Sequence, residues 1–137
     1  MKCNEGLDLL QYGIPYILNC PLDVTTQKIG QGSLYYVAIR NAKGYDLQVF
    51  MSPATTNNLS TLRQRKKTEL LSNPQFVKII EEYNEGFLYE KNLDGLSSSY
   101  DFIYFVVKGD NEINFQCGNS KAFSEQEVRS MLESVRN

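Results

Sequence analysis

The end of the chain carries a helix-start signal that fixes its local fold. In Ser124-Glu125-Gln126-Glu127 the Ser124 side chain can accept from the first free N–H groups of a helix, and Glu127 can accept from the Ser124 N–H. Phe123 and Val128 stand where a hydrophobic staple places its two side chains. Apolar residues then recur at helical spacing at Val128, Met131, Leu132 and Val135. This pattern predicts a short amphipathic helix over residues 124–136.

Two strand-like runs precede that helix. Residues 100–107 and 112–117 are rich in β-branched and aromatic side chains, and Gly109-Asp110-Asn111 between them is a turn signal. The closing part of the chain is therefore predicted to be a β-hairpin with a helix packed on it.

A second hairpin is predicted where residues 33–40 and 45–51 flank Asn41-Ala42-Lys43-Gly44. In its second strand the odd-numbered residues point to one face, and Asp46 and Gln48 point to the other. Its first strand is apolar on both faces, which is typical of a central strand covered on both sides.

A helix is predicted between the hairpins, over residues 59–72, with Ser60 or Thr61 as its N-cap. The next segment, 76–91, is ambiguous, because its apolar residues fit a helix while Asn84-Glu85-Gly86 fits a hairpin turn. Gly86 would weaken a helix interior and the chain downstream is predicted to be sheet, so we expect two strands here.

Length and composition fit one α+β domain over residues 1–137. A chain of 137 residues can bury one hydrophobic core, and its 42% hydrophobic and 22% charged residues are ordinary for a globular protein. The predicted fold is a largely antiparallel sheet of roughly six to eight strands, with the two helices packed on its faces.

The order of these segments resembles a known fold family. The succession runs through Gly13-Ile14-Pro15, Cys20-Pro21, the strand at 45–51, Ser52-Pro53-Ala54-Thr55-Thr56, the runs at 76–80 and 86–90, and the helix at 123–135. It resembles small uncharacterised bacterial domains of the PsbP-like fold, which also includes the Mog-type Ran-binding proteins. The resemblance implies an antiparallel sheet with helices on its faces and no established cofactor. None of the relatives' functional residues matches a position in this chain.

The chain contains no histidine, which is its strongest negative signal. Nucleophile activation by histidine and histidine-ligated metal sites are excluded, whereas chemistry based on Lys, Tyr or paired carboxylates is not. We predict no catalytic residue, cofactor or metal ligand. The net charge of −2 gives no overall attraction to nucleic acid, and no apolar run approaches the roughly 20 residues of a membrane span. The first residues lack the apolar core of a signal peptide, so we expect a cytoplasmic protein or a mature chain whose leader has been removed.

Several local patterns fit a structural explanation better than a functional one. Cys3, Cys20 and Cys117 form no CxxC pair, and Cys117 continues the alternation of a strand, so we expect it to be a buried thiol. Gly30-Gln31-Gly32-Ser33 precedes a strand, whereas a phosphate-binding loop opens a helix. The nine tyrosines fit sheet packing better than a ligand-binding face. The acidic residues lack a calcium-loop pattern and fit a solvated strand edge: Glu81, Glu82, Glu85, Glu90 and Asp94.

One charged cluster is a candidate site. Arg63, Arg65, Lys66 and Lys67 lie close together on the predicted middle helix and could form a surface for an anionic partner. A solvated helix face is the favoured explanation, since charge runs are usually solvated. The acidic stretch 81–90 offers a further alternative, because it could neutralise the helix within the monomer.

Two functional hypotheses follow. The first is a non-enzymatic interaction domain that binds another protein through a sheet face or through the basic helix. The second is a small-molecule binder or enzyme with a pocket between sheet and helix. The lack of histidine, of metal-ligand spacing and of nucleophile motifs favours the first hypothesis. A closed cavity lined by tyrosine hydroxyls and a carboxylate would favour the second.

Overall fold

A computed structural model describes residues 6–19, 23–32, 34–92 and 98–136, which form two sheets and two α-helices. Strand β1 (Leu7–Asp8) pairs with β2 (Ile17–Leu18) around a 3₁₀ turn at Leu9–Tyr12. The helices are α1 (Leu59–Leu71) and α2 (Glu125–Val135). The remaining strands are β3 (Thr25–Gln31), β4 (Leu34–Arg40), β5 (Asp46–Pro53), β6 (Phe76–Tyr83), β7 (Gly86–Asn92), β8 (Ser98–Lys108) and β9 (Asn111–Cys117).

These seven longer strands form one antiparallel sheet in the order β3-β4-β5-β9-β8-β7-β6. The predicted α+β class with a largely antiparallel sheet is confirmed. The ambiguous segment 76–91 is a pair of strands, as predicted, because Tyr83 pairs with Gly86 across a tight turn. A Cβ at Gly86 would overlap the Ile103 carbonyl of the neighbouring strand, so only glycine allows this close approach.

Helix α2 begins with the predicted capping box. The Ser124 hydroxyl accepts from the Glu127 N–H at 3.2 Å, and the Glu127 carboxylate accepts from the Ser124 N–H at 2.9 Å. Its residues Val128, Met131 and Leu132 are buried in the larger core, as predicted. This core covers one face of the sheet, and the segment β1–β2 packs into it beside α2.

Helix α1 covers part of the other face. Its buried residues Leu62 and Leu70 form a second, smaller core with Phe87, Tyr89 and Phe105 of β7 and β8. The N-cap is Asn58, whose side chain accepts from the Thr61 N–H at 3.0 Å. The prediction of Ser60 or Thr61 as the cap was wrong, because the N-cap lies two or three residues earlier, at Asn58, and asparagine is among the best N-caps.

Strand β4 differs from its predicted environment. Val37 and Ile39 are buried in the larger core, but Tyr36, on the opposite face, belongs to neither core cluster. The predicted cover on both sides is therefore found only in part, because Ala38 on that second face is buried whereas Tyr36 is partly exposed. An apolar residue on the second face does not require a helix above it, since aromatic side chains also suit a half-exposed sheet surface.

Candidate functional site

Two of the four candidate cations of α1 bind one carboxylate of β6. Arg63 and Lys67 contact the Glu82 carboxylate with nitrogen–oxygen distances of 2.5 and 3.4 Å. The Arg63 Nε also donates to the Tyr83 carbonyl at 3.1 Å, and its guanidinium lies 5.0 Å from the centre of the Phe87 ring. These bonds lower the pKa of Glu82, chiefly through the hydrogen bond from Arg63.

The other two cations bind Glu112 of β9. Arg65 and Lys66 contact its carboxylate at 2.8 and 2.7 Å, and the Asn114 amide donates to it at 2.9 Å. The Glu112 side chain is only 4% exposed. Burial works to raise the pKa of Glu112, but the hydrogen bonds from Lys66, Asn114 and Arg65 outweigh it, so the pKa lies below its ordinary value. Arg65 also donates to the Thr55 hydroxyl at 2.5 Å.

The structure therefore brings all four candidate cations together with carboxylates of the same chain. Glu82 belongs to the acidic stretch that the sequence offered as an intramolecular partner. Glu112 was not anticipated, because it lies on a strand that reaches α1 only through the sheet order. A docking partner would have to compete with these internal ion pairs for Arg63, Arg65, Lys66 and Lys67. The basic helix as a partner site stays a prediction.

The remaining acidic residues do not converge. Glu81 binds Arg129 of α2 at 2.6 Å, and Glu90 accepts from the Ser98 hydroxyl at 2.6 Å. Asp94 lies outside the described residues. Within the described ranges, no group of three or more Cys, Asp or Glu side chains is placed to hold a metal ion.

The cysteine and glycine patterns have the structural roles that the sequence favoured. Cys117 is buried in the larger core, and burial, together with the Asp101 carboxylate, raises the pKa of its thiol well above the usual value. Gly32 lies in the tight turn between β3 and β4 with a φ of +60°, next to a strand rather than a helix. Cys3, Cys20 and Ser33 lie outside the described residues.

The tyrosines pack as predicted, with one exception. Eight of them belong to or pack against the two core clusters: Tyr12, Tyr16, Tyr35, Tyr45, Tyr83, Tyr89, Tyr100 and Tyr104. The Tyr45 hydroxyl bonds the Ser134 hydroxyl at 2.7 Å, and burial raises the pKa of Tyr45 to about 12. Tyr36 alone belongs to neither cluster.

Tyr36 lies on a part of the sheet that we call the open face. It consists of five of the side chains that β3, β4 and β5 direct to the α1 side of the sheet: Ile29, Tyr36, Ala38, Gln48 and Phe50. None of these residues belongs to the core under α1 or to the core under α2, although Ala38 and Gln48 are themselves buried. Tyr36 and Phe50 are partly exposed, with ring centres 5.1 Å apart and planes inclined by 34°.

The apolar side chains of the open face form a row across the strands. Ile29 is directly opposite Tyr36, Tyr36 is opposite Phe50, and Phe50 is opposite Asn114. Asn114 is in turn opposite Phe105, which lies under α1. The row therefore runs from the free edge of the sheet to the margin of the smaller core.

The polar part of the open face is uncharged or internally paired. Gln116 donates to Gln48 at 3.1 Å, and Gln48 donates to Asn119 at 3.0 Å. At the end of β4, the Arg40 Nε donates to the buried Asp46 carboxylate at 3.1 Å. Aromatic rings surrounded by amides, with few free charges, are typical of protein interfaces.

Two of the surface clefts among the described residues lie away from both the open face and α1. One, of about 640 Å³, lies between the β4–β5 turn and α2 and includes Lys43, Tyr45 and Glu127. The other, of about 560 Å³, lies between the β1–β2 segment and β8 and includes Tyr104 and Glu85. Burial and the Glu85 carboxylate raise the pKa of Tyr104. The described residues leave both clefts open to solvent.

Comparisons of the chain with protein-family models, with curated proteins and with solved structures found no match. Among the described residues, no helix is long and apolar enough to cross a membrane.

Proposed function

We propose that this chain is a non-enzymatic interaction domain that binds another protein through the open face. The observation that carries the proposal is the row Ile29–Tyr36–Phe50, which contributes to neither hydrophobic core. Side chains of this size contribute little to folding where no element covers them, whereas they gain contact area when a partner does. The PsbP-like resemblance and the location of the protein stay predictions.

The composition of the open face favours a protein as the ligand. Interface cores are enriched in aromatic residues and depleted of charge, with a polar rim that supplies hydrogen bonds. Tyr36 and Phe50 correspond to such a core, and the partly exposed Gln116 amide, which donates to the buried Gln48, lies beside them. The rings are also held in place by the sheet, so little entropy is lost on binding.

The experiment removes the two rings and compares the result with a matched loss of apolar surface elsewhere. The test variant carries Tyr36→Ala and Phe50→Ala, and the control carries Leu71→Ala and Val77→Ala, which remove exposed apolar side chains outside the open face. Partners captured from an extract of the native host are identified by mass spectrometry, and the recombinant partner is then titrated. We expect the test variant to bind about tenfold more weakly or worse, and the control to bind like the parent. Equal affinity of all three proteins would contradict the proposal.

The same titration separates the open face from the basic helix. If Arg63 and Lys67 form the partner site, their reversal to Glu should weaken binding, and the on-rate should fall with salt, because exposed charges are screened over about 10 Å at 0.1 M. If the open face binds, we expect these reversals to lower thermal stability through the lost contacts with Glu82 and to leave affinity unchanged.

The second candidate function is small-molecule binding. The cleft of about 560 Å³ favours it, because a cleft of this size that joins a tyrosine hydroxyl to a carboxylate has the dimensions of a ligand pocket. Native mass spectrometry of the purified protein tests it. A retained ligand that Tyr104→Phe releases, and that Tyr36→Ala does not, would place the function in this cleft.

A further inference from the structure

The two edges of the seven-stranded sheet are built differently. Edge strands expose unpaired N–H and C=O groups, and natural proteins usually blunt them with bulges and charges. Strand β6 is blunted in both ways. Its pairing with β7 shifts register between Phe76 and Lys78 and again between Ile79 and Glu81. It also carries the charges of Lys78, Glu81 and Glu82.

Strand β3 has no bulge and carries a single charge. It pairs with β4 through seven consecutive residue pairs without a register shift, and it contains no proline. Its one charged residue is Lys28, whose ammonium lies 4.4 Å from the centre of the Tyr35 ring and is thereby held on the α2 side. Of the described strands, β4 alone pairs with β3. The edge of β3 is therefore available for another strand.

The outward peptide groups of β3 follow from the hydrogen bonds of β4. The Asn41 N–H donates to the Tyr45 carbonyl at 3.0 Å, on the β5 side of β4. Because peptide groups alternate along a strand, those of Arg40 face β3, where Arg40 pairs with Thr25. The peptide groups of Thr25 and of every second residue after it therefore bond to β4. The peptide groups of Thr26 and Lys28 face the free edge.

We propose that β3 pairs antiparallel with β3 of a second copy of this chain, about a two-fold axis through Gln27. This register places the outward peptide groups of Thr26 opposite those of Lys28 in the second copy, as an antiparallel hydrogen-bonded pair requires. It also places Thr25 opposite Ile29 and Gln27 opposite itself.

The charge pattern favours this register over the one that overlaps the whole strand. An axis through Lys28 would overlap the whole strand but would place two ammonium groups directly opposite each other, which is destabilising. A shift of one residue, to Gln27, puts Lys28 opposite the neutral Thr26. In this register the strand is complementary to itself, and one closed dimer pairs the β3 edge of one copy with the β3 edge of the other.

The dimer goes beyond the proposed function and does not depend on it. A two-fold axis perpendicular to the sheet keeps the two open faces on the same side. The rows Ile29–Tyr36–Phe50 of the two copies then lie on the same side of the joined sheet, offset from each other by four positions, or roughly 13 Å, with the Gln27 side chains at the axis between them. A monomer that still binds its partner through Tyr36 and Phe50 would refute the dimer and leave the proposed function standing.

A cysteine scan tests the register in the full chain, with Cys3 and Cys20 replaced by Ser. In the proposed dimer the two Gln27 residues form a non-hydrogen-bonded pair with Cα atoms about 4.5 Å apart, which is within disulfide range. The two Thr25 residues are offset by four positions, or roughly 13 Å, which is beyond that range. We therefore expect Gln27→Cys to form a covalent dimer on mild oxidation and Thr25→Cys, the matched control, to stay monomeric on a denaturing gel. Equal cross-linking of both, or of neither, would overturn the register.

Charge substitution and sedimentation test the dimer itself. At a self-opposed position, Gln27→Lys and Gln27→Glu both create like-charge pairs, so both should raise the dimer dissociation constant about tenfold or more. The control Lys78→Glu alters the other edge and should leave it unchanged. The proposal is refuted if the parent chain sediments as a monomer at all concentrations or forms open-ended oligomers. It is also refuted if Lys78→Glu disrupts the dimer. Circular dichroism of each variant shows whether the fold is retained.

Discussion

Glu82 and Glu112 offer a controlled comparison, because each receives two cations from α1 but they differ in burial. The Glu82 side chain is 41% exposed, and the Glu112 side chain is 4% exposed. Exposed ion pairs contribute about 0–1 kcal/mol, whereas removing one partner of a buried pair costs about 3–5 kcal/mol. The same substitution, Glu→Gln, should therefore have very different effects at the two positions.

For Glu112→Gln we expect a smaller loss than the roughly 3–5 kcal/mol that is typical of a fully buried ion pair, because its two cations are partly exposed. Arg65 is 39% exposed, so water solvates its guanidinium when the carboxylate is lost. Lys66 is 14% exposed and has less access to water. We expect a loss of about 2–4 kcal/mol, which lies between the exposed and the fully buried cases. For Glu82→Gln we expect less than about 1 kcal/mol.

Urea unfolding at neutral and at acid pH measures both variants. With an m value of about 2 kcal/mol/M, the Glu112→Gln loss corresponds to a midpoint shift of roughly 1–2 M. The pKa of Glu112 is lowered in the folded state, so its contribution is present above the ordinary value of 4.5 and is lost as pH falls through the lower folded value. The gap between the parent and Glu112→Gln should therefore narrow below about pH 4.5. Equal losses for the two variants at pH 7, or a gap that persists in acid, would refute this reasoning.

Two further predictions concern α2. Leu132 is 1% exposed, so Leu132→Ala should cost about 3 kcal/mol in urea unfolding, whereas Leu59→Ala, at a residue 39% exposed, should cost less than about 1 kcal/mol. Ser124→Ala removes the acceptor of the Glu127 N–H and should lower the free energy of unfolding by about 1 kcal/mol. Unchanged midpoints for Leu132→Ala and Ser124→Ala would show that α2 is not docked on the sheet.

The elements of this fold could be predicted because their signals are local. Each of these signals is read from residues that are neighbours in the sequence: the capping box at Ser124 and Glu127, the turn before Gly86 and the alternation of β5. The N-cap of α1 was missed by two or three residues, because Ser60 and Thr61 are as good caps by type as Asn58.

The candidate site was less accessible to sequence reasoning, because its geometry depends on the order of the strands. Arg65 and Lys66 could be recognised as a cationic cluster, but their partner Glu112 is brought beneath α1 only because β9 lies in the middle of the sheet. The positions of charges along the sequence do not indicate that Arg65 and Lys66 pair with Glu112. Tyr36 and Phe50 lie on the two strands of one predicted hairpin, but the exact register that places them opposite each other is set by the turn.

The open face exists because the sheet is wider than the single helix that packs on that side. Seven strands about 4.8 Å apart span roughly 29 Å, whereas one helix covers a width of about 10 Å. On the α2 side the β1–β2 segment helps to cover the sheet, but on the other side α1 packs over β6, β7 and β8, and its cations reach Glu112 of β9. Part of that face must therefore lack a helical cover, and folding alone would be satisfied by polar residues there. Tyr36 and Phe50 stand there as a cross-strand aromatic pair, which a half-exposed sheet surface accommodates, and a partner that covered this part of the face would bury both rings.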